Sequence, residues 1–161
     1  MNIYLISNES FRLIDKEITK IVKDNHYENF NLNKSSIKKV LEEASYFSLD
    51  NNPKFLVVSN ADIFGSDKID DSITDSLINY FNNPNPNTVI IFTTQKPIDS
   101  RKKIVKELKS KYKIINTPKM DRKQISSIIT NYVKENDFDI DYQSCNYLIN
   151  NCYNSLDIML N

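Results

Sequence analysis

Glycine is almost missing from this chain: Gly65 is the single one among 161 residues. A phosphate-binding loop turns successive backbone N–H groups onto one anion, and it needs glycines, a lysine and a Ser/Thr to do so. The first strand-turn-helix, where such a loop would stand, reads Ser7-Asn8-Glu9-Ser10-Phe11-Arg12. It offers no glycine and no lysine, and it sets Glu9 at the phosphate position. The same scarcity removes any nucleophile elbow. Histidine is as rare, with His26 alone in a polar connection, so no zinc ligand set can be assembled and no metal or cofactor is expected. Cys145 and Cys152 stand seven positions apart on one face of a helical pattern, about 10 Å apart at 1.5 Å per residue. That is too far for a disulfide, and both read as core residues. There is no apolar run long enough to span a membrane and no signal-like N-terminus, so the chain reads as cytoplasmic. Lys+Arg and Asp+Glu cancel at 21 each, which leaves no global field toward nucleic acid or membrane.

What is present is a regular alternation. Ile3-Tyr4-Leu5-Ile6 is a short apolar strand, followed by helical spacing of Phe11, Ile14, Ile18, Ile21 and Val22. Phe30-Asn31-Leu32 reads as a second strand. A helix capped near Asn33 to Ser36 then turns Ile37, Val40, Leu41 and Ala44 inward. Phe55 to Val58 and Val89 to Phe92 are apolar on both faces, as central strands of a parallel sheet are. Between them a helix carries Ile73, Leu77, Tyr80 and Phe81, and the Asn/Pro-rich stretch from Asn82 to Asn87 reads as turns. Helix Ser100 to Lys111 and strand Tyr112 to Ile115 complete a doubly wound α/β sheet over residues 1–118. Residues 119–161 read as helix only. Asp121-x-x-Gln124 is a capping box with Met120 as staple toward Ile125, followed by a stripe of Ile125, Ile128, Ile129, Tyr132 and Val133. A second helix starts at Asp141, and a third near Asn154 stops at Asn161 before its apolar face is complete, so the chain reads as part of a longer protein.

Two local features stand outside the core pattern. Tyr46-Phe47 ends the second helix, and at 100° per residue Tyr46 falls opposite the apolar stripe while Phe47 falls at its edge. If the helix instead ends by Ser45, both rings are free to cover the sheet edge. A basic helix holds Arg101, Lys102, Lys103 and Lys106, either a solvated face or a patch for DNA. The acid pairs Asp70-Asp71 and Asp139/Asp141 sit at helix starts, where capping accounts for them.

Several strings, in this order, resemble the delta-subunit family of the bacterial DNA polymerase III clamp loader: Asn2-Ile3-Tyr4-Leu5-Ile6, Ala44-Ser45-Tyr46-Phe47, Phe55-Leu56-Val57-Val58-Ser59-Asn60-Ala61-Asp62, and Asp99-Ser100-Arg101-Lys102-Lys103-Ile104-Val105-Lys106. The resemblance implies an AAA+-like α/β domain without a working phosphate loop, then a three-helix lid. Strand Lys54 to Ser59 is similar to the one that ends in Asp-Glu in active clamp-loader ATPases; here those positions are Ser59-Asn60. Asn154-Ser155-Leu156-Asp157 is similar to the lid Gly-Ser-Leu-Arg whose arginine reaches the nucleotide, so Asp157 would repel it. Ser7, Asn8, Glu9, Ser59, Asn60 and Asp157 are thus the expected degenerate nucleotide-site positions. The resemblance further implies a chain without catalysis of its own, in a holoenzyme with DNA-directed DNA polymerase (nucleotidyltransferase) activity. It would bind the sliding clamp (beta subunit) through Tyr46 and Phe47, supported by Leu49, beside the gamma/tau and delta prime subunits and primer-template DNA. The alternatives are a divergent P-loop-like NTPase and a generic protein-interaction domain.

Overall fold

The computed structural model describes residues 2–46, 52–117, 120–153 and 155–160. Five parallel strands form one sheet in the order β2-β3-β4-β1-β5: β1 Ile3–Ser7, β2 Glu28–Asn31, β3 Lys54–Ser59, β4 Thr88–Thr94 and β5 Lys113–Asn116. Helices α1 (Phe11–Val22), α2 (Ile37–Ser45), α3 (Asp71–Asn82) and α4 (Lys103–Lys111) connect them, with a short 3-10 turn at Asp62–Phe64 after β3. Strand residues alternate between two cores. Leu5, Leu56, Val58, Ile90 and Phe92 pack with α2, α3 and α4 on one face. Ile6, Val57 and Ile91 pack with Ile14, Ile18 and Val22 of α1 on the other.

Because α1 covers one face while α3 and α4 cover the opposite one, the chain leaves β1 and β4 in opposite directions. The carboxyl ends of β1 and β4, where Ser7 pairs with Thr94, therefore flank a crevice of the kind in which open α/β sheets bind ligands. Helices α5 (Arg122–Glu135), α6 (Tyr142–Asn151) and α7 (Leu156–Met159) form a third core of Ile125, Ile129, Cys145, Ile149, Leu156 and Leu160. Leu13 of α1 packs against that core, which joins the helical unit to the α/β body.

Local rules set most boundaries. Asp121 and Gln124 make both bonds of their capping box, and Ser36, Asp70 and Asp141 cap α2, α3 and α6. The Asp70 and Asp141 carboxyls are held below the usual range by the hydrogen bonds from Ser72 and Ser144. Cys145 is buried and Cys152 half-buried, and both are free thiols.

Four expectations need correction. Phe11, placed in the α1 core stripe, is 54% exposed, because it is the first helical residue and points past the sheet. Tyr132, placed in the α5 stripe, lies at the surface with the Arg12 guanidinium 5.7 Å from its ring centre. Helix α4 starts at Lys103 and not Ser100, because the Asp99 side chain takes the Arg101 N–H and makes a local turn that competes with helix. Helix α2 ends at Ser45, and Tyr46 is its extended C-cap. Tyr46 is nonetheless exposed, so its exposure comes from the chain leaving the helix and not from helical phase.

Candidate functional site: an internally bonded crevice and an open helix end

The first four N–H groups of a helix have no partner within it. In α1 all four are satisfied by side chains. Ser10 N–H donates to Asn8 Oδ1 at 2.9 Å, and Leu13 N–H to Ser10 Oγ at 3.4 Å. The other two go to a residue from the far end of the chain. Phe11 N–H donates to Asp157 Oδ2 at 2.9 Å and Arg12 N–H to Asp157 Oδ1 at 3.3 Å, while the Ser10 hydroxyl donates to the same Oδ1 at 2.6 Å. A carboxylate from α7 thus occupies the point where the helix dipole and converging N–H groups favour an anion. The acid at this point is Asp157 and not Glu9, which is exposed and whose carbonyl accepts from Gln95.

The rest of the crevice is also internally bonded. The Ser7 hydroxyl donates to Lys96 O, and Asn8 N–H to Thr94 O. Thr94 Oγ1 donates to Asp62 Oδ1 at 2.7 Å, and Lys96 Nζ lies 2.9 Å from Asp62 and 3.0 Å from Asp67. Burial pushes the Asp62 carboxyl up, but the bonds from Thr94 and Lys96 outweigh it and hold the group below its usual range. Lys96 is correspondingly raised by its bonds to Asp62 and Asp67. One cavity at this turn, lined by Glu9, Ser10, Met120 and Tyr153 among others, is about 200 Å³, below the roughly 300–1,000 Å³ of ligand pockets, and a second, lined by Asn8, Leu13, Thr117 and Gln124 among others, is about 430 Å³.

Ser59 and Asn60 do not join this cluster. Ser59 Oγ donates to Phe30 O, and Asn60 Nδ2 donates to Asn31 Oδ1, so both serve the β2 edge. Asn60 adopts a left-handed conformation, φ 54°, that asparagine tolerates better than most residues. Among the described residues, no group of three His, Cys, Asp or Glu is placed to hold a metal. The sequence reading missed Asp62 and Lys96, which bear no motif; their positions just past β3 and β4 were the only signal.

The C-terminal end of α2 is likewise held by side chains distant in sequence. Its last carbonyls are held from the α3–β4 region: the Tyr80 hydroxyl donates to Ala44 O at 3.3 Å, and Asn85 Nδ2 donates to Tyr46 O at 3.2 Å and Ser45 O at 3.5 Å. Burial raises the Tyr80 phenol to about 12, while Asn85 is itself buried and its Oδ1 accepts the Asn87 N–H. This scaffold leaves the Tyr46 ring 64% exposed beside a groove of about 470 Å³ between α2 and α3, lined by Lys38, Leu41, Glu42, Ser76 and Tyr80. Phe47 and Leu49 lie outside the described residues.

On α4 and its approach, Arg101 makes a two-pronged pair with Asp99, at 2.9 and 2.8 Å, whose bonds pull the Asp99 carboxyl down to about 2. Lys102 donates to the carbonyls of Ile63 and Asp67, Lys103 stands 3.9 Å from Asp75, and Lys106 is exposed.

A parallel sheet of this order with a three-helix unit seated on the N-terminus of α1 defines an AAA+-like α/β fold. Residues 2–118 match the model of the family described as DNA polymerase III, delta subunit, and the chain belongs to that family. The family ties it to DNA replication. Among solved structures it is similar to the Bacillus subtilis DNA clamp loader delta protein, with TM-score 0.67 and 19% identity over 99% of this chain and 51% of that one. It is also similar to the Thermotoga maritima RuvB Holliday junction branch migration motor, with TM-score 0.58 and 11% identity over 99% and 52%. The chain spans about half the length of these solved relatives. No curated protein matches it. At such identities the likeness concerns the fold. Among the described residues no helix is long and apolar enough to cross a membrane.

Proposed function

We propose that this chain is the part of a clamp-loader delta subunit that docks on the sliding clamp, with Tyr46 and the adjoining Phe47 as anchors and Leu49 in support. The observation that carries this reading is the exposed Tyr46 on a helix end held rigidly by Tyr80 and Asn85, in a chain of the delta family. An aromatic side chain buries about 150–250 Å² on docking, which grosses roughly 4–6 kcal/mol before the costs of association. A few such anchors commonly dominate an interface.

The mechanism follows from binding alone. A module that holds the open clamp better than the closed one shifts that equilibrium by its difference in affinity, with no chemistry of its own. Nucleotide hydrolysis belongs to neighbouring subunits, and polymerisation to other parts of the holoenzyme. The divergent-NTPase alternative is disfavoured by the carboxylate on the α1 N-terminus. Arg101 and Lys102, ahead of α4, are engaged within the chain, while Lys103 and Lys106 on α4 stay exposed, so a DNA-facing patch here would rest on those two. The test is clamp affinity of Tyr46→Ala combined with Phe47→Ala. The expected loss is tenfold or more, about 1.4 kcal/mol; retention within about threefold, under ~0.7 kcal/mol, would sink the assignment.

A further inference from the structure

We propose that the N-terminus of α1 is an anion seat occupied in cis: the Asp157 carboxylate stands there in place of an external phosphate-class anion and docks the three-helix unit on the α/β body without any ligand. The inference is independent of clamp docking and rests on how donors and acceptors match. Three donors converge, the Ser10 hydroxyl and the N–H groups of Phe11 and Arg12, and the two carboxylate oxygens divide them, Oδ1 taking two and Oδ2 one. An ionised carboxylate, acceptor-only and with two oxygens, satisfies all three. Lys96, just past β4, is committed elsewhere, held between Asp62 and Asp67. Glu9, on the wall of the cavity of about 200 Å³ beside Ser10, adds a charge of the wrong sign for phosphate.

One consequence distinguishes this from a general packing role. Within α1 the Phe11 and Arg12 amides precede the first helical bond, and both donate to Asp157, so their protection from exchange should follow that carboxylate. Residue-resolved hydrogen exchange by NMR on the chain reads it directly. In Asp157→Ala both amides should exchange at least about tenfold faster while Ile14 and the β1 amides keep their protection. Asp157→Asn presents one oxygen and one N–H donor, so it should spare Arg12 and expose Phe11 selectively. Inorganic sulfate at tens of millimolar should slow both amides again in Asp157→Ala, and millimolar ATP should change neither amide in the parent. Unaltered exchange in Asp157→Ala, equal behaviour of the two amides in Asp157→Asn, no effect of sulfate, or displacement by ATP in the parent would each overturn the proposal.

Discussion

The start of α1 and the end of α2 are built by the same device and reach opposite results. At both, backbone groups that a helix cannot satisfy itself are held by side chains distant in sequence: Asp157 for α1, Tyr80 and Asn85 for α2. At α1 the visiting carboxylate fills the position where the helix start favours an anion. At α2 the visiting groups come from beneath, so the backbone is fixed while Tyr46 is left facing outward. One fold can thus fill one helix end and leave another open without changing its layers. What changes is the direction from which the helix end is pinned.

The comparison is broken most sharply at Asn85. Its side chain is buried and holds Ser45 O, Tyr46 O and Asn87 N–H together. Asn85→Ala leaves these groups unpaired and should cost about 2–3 kcal/mol of stability. Urea unfolding should show a lower midpoint at an unchanged slope. If the midpoint hardly moves, the α2 end is not held from below, and the contrast with α1 falls.

Tyr80 tests the same end through pH. Burial favours the neutral phenol and raises it to about 12, against about 10 in an unfolded chain. The contribution is fully present below pH 10 and is lost as pH rises through 12, by at most about 1.4 kcal/mol per pH unit. Tyr80→Phe removes that dependence and also the bond to Ala44 O, worth about 0.5–1.5 kcal/mol. Chemical unfolding of both proteins across pH 8 to 12 should therefore show the parent ahead at neutral pH and the gap closing above pH 10. A constant gap would mean that Tyr80 titrates as an exposed tyrosine.

The contrast also marks what the sequence made legible. The sheet, its order of elements and the caps at Ser36, Asp70, Asp121 and Asp141 follow from local spacing, because each signal and its effect lie within a few residues. The absent phosphate loop was equally plain from Ser7 to Arg12. Neither pinned helix end was readable. Asp157 reads as a lost arginine until the fold carries it across the chain to Ser10, and Asn85 reads as one more asparagine in a turn until its burial shows what it holds. Tyr46 shows the limit from the other side: its exposure followed from a helical phase that stops one residue short of it.

The smallest expected effect concerns the far end of α1, where the closure is local and Asn25 Nδ2 donates to Val22 O at 2.8 Å. Lys23 ends the helix at φ 55° and ψ −126°, with its N–H donating to Thr19 O at 2.8 Å. That backbone region is crowded for any residue with a Cβ and open to glycine. In a chain with one glycine, a lysine has taken the position that glycine usually holds. Relief of strain there is on the order of 1–3 kcal/mol, and the extra freedom of an unfolded glycine offsets about 0.5–1 kcal/mol of it. Lys23 is exposed, so little packing is lost with its side chain. Lys23→Gly should therefore stabilise the chain by about 0.5–1 kcal/mol, read as a higher urea midpoint. A glycine that destabilised the chain would show that this end, too, is held by its side chain, and that α1 is pinned from outside at both ends.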